Sequence, residues 1–199
     1  MKTTTSLTVL AMLVALTGCE PTSSLHPLFG PGDRVFEPAL VGDWVSEADT
    51  DRSAEEIQLT LRAVRENAYE LIFVDENKKS YRLRAQSARL GNFLFLDVSP
   101  DDRDADGVLQ IPAHAFFKVQ LEPETLELAY LDDEWLKERV LQKKVQIAHE
   151  LLGSDIVLTA STKDLQALVL KFATDPAAFR PVRFRRHTYP RGDHPESGR

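Results

Sequence analysis

The sequence predicts a mainly β (α+β) domain: an antiparallel barrel or strongly curled sheet of about eight or nine strands, carrying two helices. Three observations predict it. Apolar and polar residues alternate through successive segments between Ile57 and Tyr130, the period-two pattern of a sheet with one face buried and one wetter. The stretches between those segments are short and polar, as hairpin loops are, so neighbouring strands should run antiparallel. Two stretches nearer the C-terminal end, from Asp132 and from Ser161, switch to helical spacing.

Taken in order, Val41–Ser46 opens the strands. Ile57, Leu59 and Leu61 alternate with Gln58, Thr60 and Arg62, and Tyr69, Leu71 and Phe73 follow a turn at Glu66-Asn67. Tyr81, Leu83 and Ala85 alternate with Arg82, Arg84 and Gln86. In the next strand Phe93, Phe95 and Asp97 share one side and Leu94, Leu96 and Val98 the other. Ala115, Phe117, Val119 and Leu121 follow, then Leu126, Leu128 and Tyr130. Ile147–Leu152 and Asp155–Thr159 are expected to close the series.

The first helix, Asp132–Lys144, has acids at its start and Lys137, Arg139, Lys143 and Lys144 later, an order that suits the helix dipole. Trp135, Leu136 and Val140 can form its buried stripe. The second begins at Ser161, where Ser161 and Asp164 are placed like a capping box with Asp standing in for Glu. Leu165, Leu168, Val169 and Phe172 then repeat at helical spacing, and Asp175-Pro176 ends it. Its polar face lacks the clustered Lys and Arg of a membrane-surface helix, so it is expected to lie on the sheet.

The N-terminal end has a different character. Lys2 is the only charge before Glu20, an uncharged, mostly apolar run extends from Ser6 to Leu16, and small residues follow at Thr17 and Gly18. That is the plan of a secretory signal, and the run is too short for a bilayer span, which needs about 20 apolar residues. Residues 1–18 are therefore read as a signal peptide. Residues 19–39 hold four prolines and two glycines and read as a flexible tether, with Leu25, Leu28 and Phe29 available to dock; residues 40–186 read as one β-rich domain, and 187–199 as a disordered tail. Arg191-Gly192-Asp193 in that tail is read as a chance tripeptide.

Three resemblances attach to these residues. Leu16-Thr17-Gly18-Cys19 resembles the lipobox of bacterial lipoproteins, which implies cleavage before Cys19 and a diacylglyceryl group on its sulfur, with a third chain on the new amine in Gram-negative bacteria. One acyl chain holds only marginally, so two or three give stable anchoring. The implied address is the bacterial cell envelope; Glu20 rather than Asp after the cysteine favours, by analogy with enterobacterial sorting, the outer membrane facing the periplasm. Gly42-Asp43-Trp44 resembles the G-x-W of lipocalins, which implies a barrel whose floor is closed by the tryptophan and by an Arg of the last strand, here Arg183 or Arg185. More broadly, the run from VGDWVSE to VLTASTKDLQALVLKFATDPAAF, with HPLF, LFLD, AHAFFKV and LDDEWL, resembles a family of uncharacterised bacterial envelope lipoproteins; no activity is implied.

Composition narrows the function. The formal charge is -7, and removing residues 1–18 takes away only Lys2, so the mature chain is mildly acidic and lacks the basic face of a nucleic-acid binder. Cys19 is the only cysteine, so packing rather than an intrachain disulfide must hold the fold. Asp102, Asp104 and Asp106, followed by Gly107, open like a calcium loop, but position twelve is Ala113 instead of Glu and no strong helices flank it; a solvated acidic hairpin loop is the competing reading. No other cofactor is expected. His149-Glu150 lacks the second histidine of a zinc-protease helix, and His26, His114, His149, His187 and His194 show no metal-ligand spacing. Arg82, Arg84 and Arg89 could bind an anion or simply line a wet sheet face.

The expected function is non-catalytic. If the barrel is hollow, Tyr69, Phe73, Phe95 and Phe117 line a pocket for a small apolar ligand; if it is filled, they are core. The alternatives are a lipoprotein whose outer surface docks an envelope protein, and an unrecognised hydrolase. Besides the membrane, the expected partners are thus an apolar ligand or an envelope protein, with the oligomeric state left open.

Overall fold

The computed structural model describes residues 21–47, 57–64, 67–101 and 113–187. The leader, Cys19, the acidic loop at Asp102, Asp104 and Asp106, and the tail beyond His187 lie outside the described residues. Two short strands come first, β1 (Ser23–Ser24) and β2 (Arg34–Val35). A long meander follows: β3 (Gly42–Ser46), β4 (Gln58–Val64), β5 (Ala68–Val74), β6 (Ser80–Leu90), β7 (Phe93–Pro100), β8 (His114–Leu121) and β9 (Thr125–Leu131). The chain then makes α1 (Asp133–Leu141), the hairpin β10 (His149–Leu152) and β11 (Asp155–Leu158), α2 (Thr162–Phe172) and a last strand, β12 (Phe179–Arg186).

Each strand of the meander pairs antiparallel with the next, and β12 inserts between β9 and β3. The ring β3–β9 plus β12 is a closed, eight-stranded, lipocalin-like antiparallel barrel with two helices packed on it. Closure falls to β12, not to the segments expected at 147–159. That hairpin lies outside the ring: β11 pairs parallel with β1, and β1 pairs with the upper end of β8. The reason is residue alternation. Phe179–Arg186 turns Val182 and Phe184 into the barrel core, whereas β10 exposes three of its four residues.

There are two cores. The inner one fills the barrel with residues such as Leu59, Leu71, Leu83, Leu96, Phe117 and Leu128. The outer one lies between one outer face of the barrel (Ala88, Phe95, Phe116, Ala129, Phe179) and a covering layer made of both helices, β11 and the N-terminal strap. Strand β7 is therefore apolar on both faces. Each helix starts as its sequence suggests: Asp132 Oδ1 accepts the Trp135 N–H at 2.7 Å, and Ser161 Oγ accepts the Asp164 N–H at 3.3 Å. At the far end of α2, Lys118 of β8 donates to the Ala173 carbonyl at 2.7 Å, placing a cation where the helix dipole favours one. Burial lowers the pKa of that lysine.

Residues 21–39, expected as part of a flexible tether, form a strap bound to the domain. Leu28 and Phe29 are buried in the outer core. The Leu28 N–H donates to Asp97 Oδ2 at 2.7 Å, while the Pro27 and Leu28 carbonyls accept from Thr162 Oγ1 and Gln166 Nε2 on α2 at 2.8 and 3.0 Å. Two buried apolar side chains and paired backbone groups suffice to hold a proline-stiffened segment whose composition suggests a loop.

Candidate functional site

The barrel interior receives three of the four residues expected to line a pocket: Tyr69, Phe73 and Phe117. Phe95 is outside, packed against Phe179 at 6.2 Å between ring centroids and Phe93 at 6.5 Å. Its position follows from the alternation of β7, in which Leu94, Leu96 and Val98 take the inward side. The interior void is apolar, lined among others by Leu59, Leu71, Phe73, Leu96, Phe117 and Phe184, and measures about 30 Å³. Small-molecule sites usually enclose about 300–1,000 Å³. The inner aromatics are thus a packed core.

The floor of the barrel is built around Trp44 and Arg186. The indole N–H of Trp44 donates to the Leu40 carbonyl at 3.0 Å, and the Arg186 guanidinium lies 4.2 Å from the Trp44 ring centroid. Arg186 also donates to the carbonyls of Ala39, Val41 and Pro123 at 3.1, 3.2 and 3.2 Å. The closing arginine is therefore Arg186, not Arg183 or Arg185. Residues 182, 184 and 186 share the inward side of β12, which turns Arg183 outward to Glu127, 2.9 Å away. Gly42 makes this approach possible: at φ +148 a Cβ there would lie 2.5 Å from Arg186 Nη1. Tyr69 completes the floor. Its hydroxyl accepts the Glu37 N–H at 2.7 Å and lies 3.2 Å from Ser87 Oγ; burial raises its pKa.

Beside this floor is a polar cleft of about 470 Å³, whose charged lining comprises Glu37, Arg89, Glu122 and Arg186. Two acids face two bases there, and Arg89 pairs with Glu37 at 3.0 Å. Arg82, another of the arginines considered for an anion, is 3.5 Å from Glu70. The cleft offers no excess positive charge.

One constellation escaped the sequence reading. Asp97, 5% exposed, holds His114 Nδ1 at 2.7 Å, and His114 lies directly across from Ser24 in the β1–β8 pairing. These are the residue types of a hydrolytic triad. The serine is wrongly placed for that work: it is fully buried, and its Oγ donates to the His26 carbonyl at 2.8 Å while accepting the His26 N–H at 3.1 Å. A nucleophile must reach both substrate and base. Asp97 instead joins the strap to the barrel. The only signal for it in the sequence is a lone acid at the end of the apolar run Leu94–Leu96. Among the described residues no group of three or more His, Cys, Asp or Glu is arranged to hold a metal.

Among the described residues, the outer surface has an unpaired sheet edge. Strand β10 ends the strand order, and its Leu151 and Leu152 are 46% and 50% exposed. The residues leading into it, Val145–Ala148, form with Ala167, Leu168, Lys171 and Phe172 of α2 a groove of about 390 Å³. Under the hairpin, Asp133 Oδ1 accepts the Ile156 N–H at 3.3 Å. Burial pushes the Asp133 carboxyl up to about 6, with Asp155 and Asp132 adding to the rise and the Ile156 hydrogen bond and Lys137 opposing it. No family model, no curated protein and no solved structure matches the chain.

Proposed function

We propose that this chain is a lipid-anchored lipoprotein of the bacterial envelope whose barrel is a rigid, non-catalytic scaffold and whose outer surface docks an envelope protein. The anchor rests on the lipobox-like Leu16–Cys19 and the signal-like run before it. One observation carries the choice of docking over ligand carriage: the barrel interior is packed down to about 30 Å³. The edge of β10, unpaired among the described residues and carrying two exposed leucines beside a groove of mixed apolar and polar lining, is the kind of surface to which an extended partner segment adds as a strand. The Ser24–His114–Asp97 arrangement gives no support to a hydrolase, because its hydroxyl is buried and engaged.

Native mass spectrometry of the protein purified from its own host tests both parts. The expected mass is that of the chain from Cys19 onward plus acyl groups, with no stoichiometric small molecule retained. A retained apolar molecule would overturn the docking reading in favour of a barrel that opens around its cargo. An unmodified Cys19, or a leader still attached, would overturn the anchor.

A further inference from the structure

The strap changes what a lipid on Cys19 would do. A free segment of 19–39, extended at about 3.5 Å per residue, would let the domain wander roughly 70 Å from the bilayer. The structure removes nearly all of that slack. Pro21 forms a β-bridge with Asp132, the Thr22 N–H donates to the Leu131 carbonyl at 2.9 Å, and Thr22 is 2% exposed. Ser23 and Ser24 then pair on both sides, with β8 and with β11. Only Glu20 lies between Pro21 and Cys19, so the covalent span from the lipid-bearing residue to the folded body is at most about 7 Å. The headgroup layer on one side of a bilayer is itself about 5–7 Å thick.

We infer that, when Cys19 carries its lipid, the face of the domain around Pro21 rests against lipid headgroups and the barrel is held in one orientation on the membrane. This inference rests on the anchor proposed above. Pro21 and the Asp132 N-cap are themselves buried, so the face is what covers them: the Asp175–Ala178 turn, whose Ala178 carbonyl accepts the Asp132 N–H at 3.0 Å, and Arg180, which is ion-paired with Asp132. Charges there are mixed and mostly acidic: Arg180 is paired with Asp132, and Lys137 stands with Asp132 and Asp155 around Asp133. Covalent length, and not attraction to anionic lipid, sets the orientation. The β8–β9 turn at Glu122–Glu124 lies at the opposite end of β9, seven residues or about 20 Å away, and faces away from the bilayer.

Cys19 is the chain's one cysteine and its sulfur is consumed by the lipid, so an introduced thiol can be labelled alone. The test reconstitutes lipidated Ala177→Cys and Glu124→Cys proteins, each carrying a fluorophore, into phosphatidylethanolamine–phosphatidylglycerol vesicles with headgroup spin labels. Both positions are exposed. Quenching at 177 is expected to exceed that at 124 several-fold. Inserting ten Gly/Ser residues between Glu20 and Pro21 should abolish the difference while leaving the circular dichroism spectrum unchanged. Equal quenching at both positions of the lipidated, linker-free protein would overturn this inference alone. A chain whose intact mass shows no lipid, and which does not float with vesicles, would overturn the anchor and this inference with it.

Discussion

Removing the Arg186 side chain should loosen the barrel floor more than its size suggests. Its guanidinium ties three parts of the chain together: the turn from Ala39 to Val41 where the strap meets β3, the β8–β9 turn at Pro123, and β12 itself. Three hydrogen bonds to main-chain carbonyls, each worth about 1 kcal/mol net at a partly exposed site, and one cation–π contact worth about 1 kcal/mol sum to roughly 4 kcal/mol. Water reaching the freed carbonyls returns some of this, leaving an expected loss of about 3 kcal/mol for Arg186→Ala. Arg186→Lys keeps the charge but not the planar fork, and should lose about 2 kcal/mol. Urea unfolding followed by the fluorescence of Trp44 and Trp135 measures this, with the slope of the transition expected to stay constant. Arg183→Ala is the control, because that side chain points outward from the same strand; its midpoint should hardly move. An Arg186→Ala midpoint as close to wild type as the control's would refute the claim that this arginine locks the floor.

Further outcomes follow from the same geometry. Gly42→Ala should cost more than about 1 kcal/mol, since a Cβ meets Arg186 Nη1 at 2.5 Å and the backbone sits at φ +148; the same unfolding assay reads it. Phe117→Ala should cost about 3–5 kcal/mol and enlarge the dry interior void, so that benzene, which wild type should not take up, raises the variant's melting temperature. Asp97→Ala should cost about 2 kcal/mol and speed hydrogen exchange at the Leu28 amide, whose acceptor it removes. Asp133 gives a pH signature. Its folded pKa of about 6 lies above the unfolded value of about 3.9, so the folded chain binds more protons between them; the Asp133 contribution to stability is greatest below about pH 4 and falls as pH rises to about 6. Full coupling would be about 3 kcal/mol, which screening at this half-exposed carboxylate reduces to about 1 kcal/mol, and Asp133→Asn should flatten the profile.

Most of the barrel was legible because a half-buried strand writes its two faces into alternate residues. Ile57–Leu61, Tyr69–Phe73 and Tyr81–Ala85 all do so; β4, β5 and β6 carry those residues inward, with Ile57 just ahead of β4. Legibility failed where both faces are covered. In β7, Phe93 and Phe95 are as apolar as Leu94 and Leu96, and nothing local says which side meets the barrel axis and which meets the helices. It failed again in β12, where Pro181 and four arginines conceal an inward row of Val182, Phe184 and Arg186. The strap was misread for a third reason. Its stability comes from hydrogen bonds to α2 and to Asp97, contacts across 69 to 138 residues that no short window contains. Of the candidate site, the closing of the floor by Trp44 and an arginine was anticipated from the lipocalin resemblance, but the arginine's identity needed the strand register.

The eighth stave of the barrel is also the last to be made. Arg186 reaches back 145 residues to Val41, and β12 is separated from β9 by two helices and a hairpin. Until that segment is in place, β3 and β9 have nothing between them, and both present bare edges ready to pair with any neighbouring chain. Loop closure of this span is entropically slow to reward. A form truncated anywhere before Phe179 should therefore be an aggregation-prone open sheet, in need of a chaperone's shelter, whereas a chain that includes β12 seals the ring.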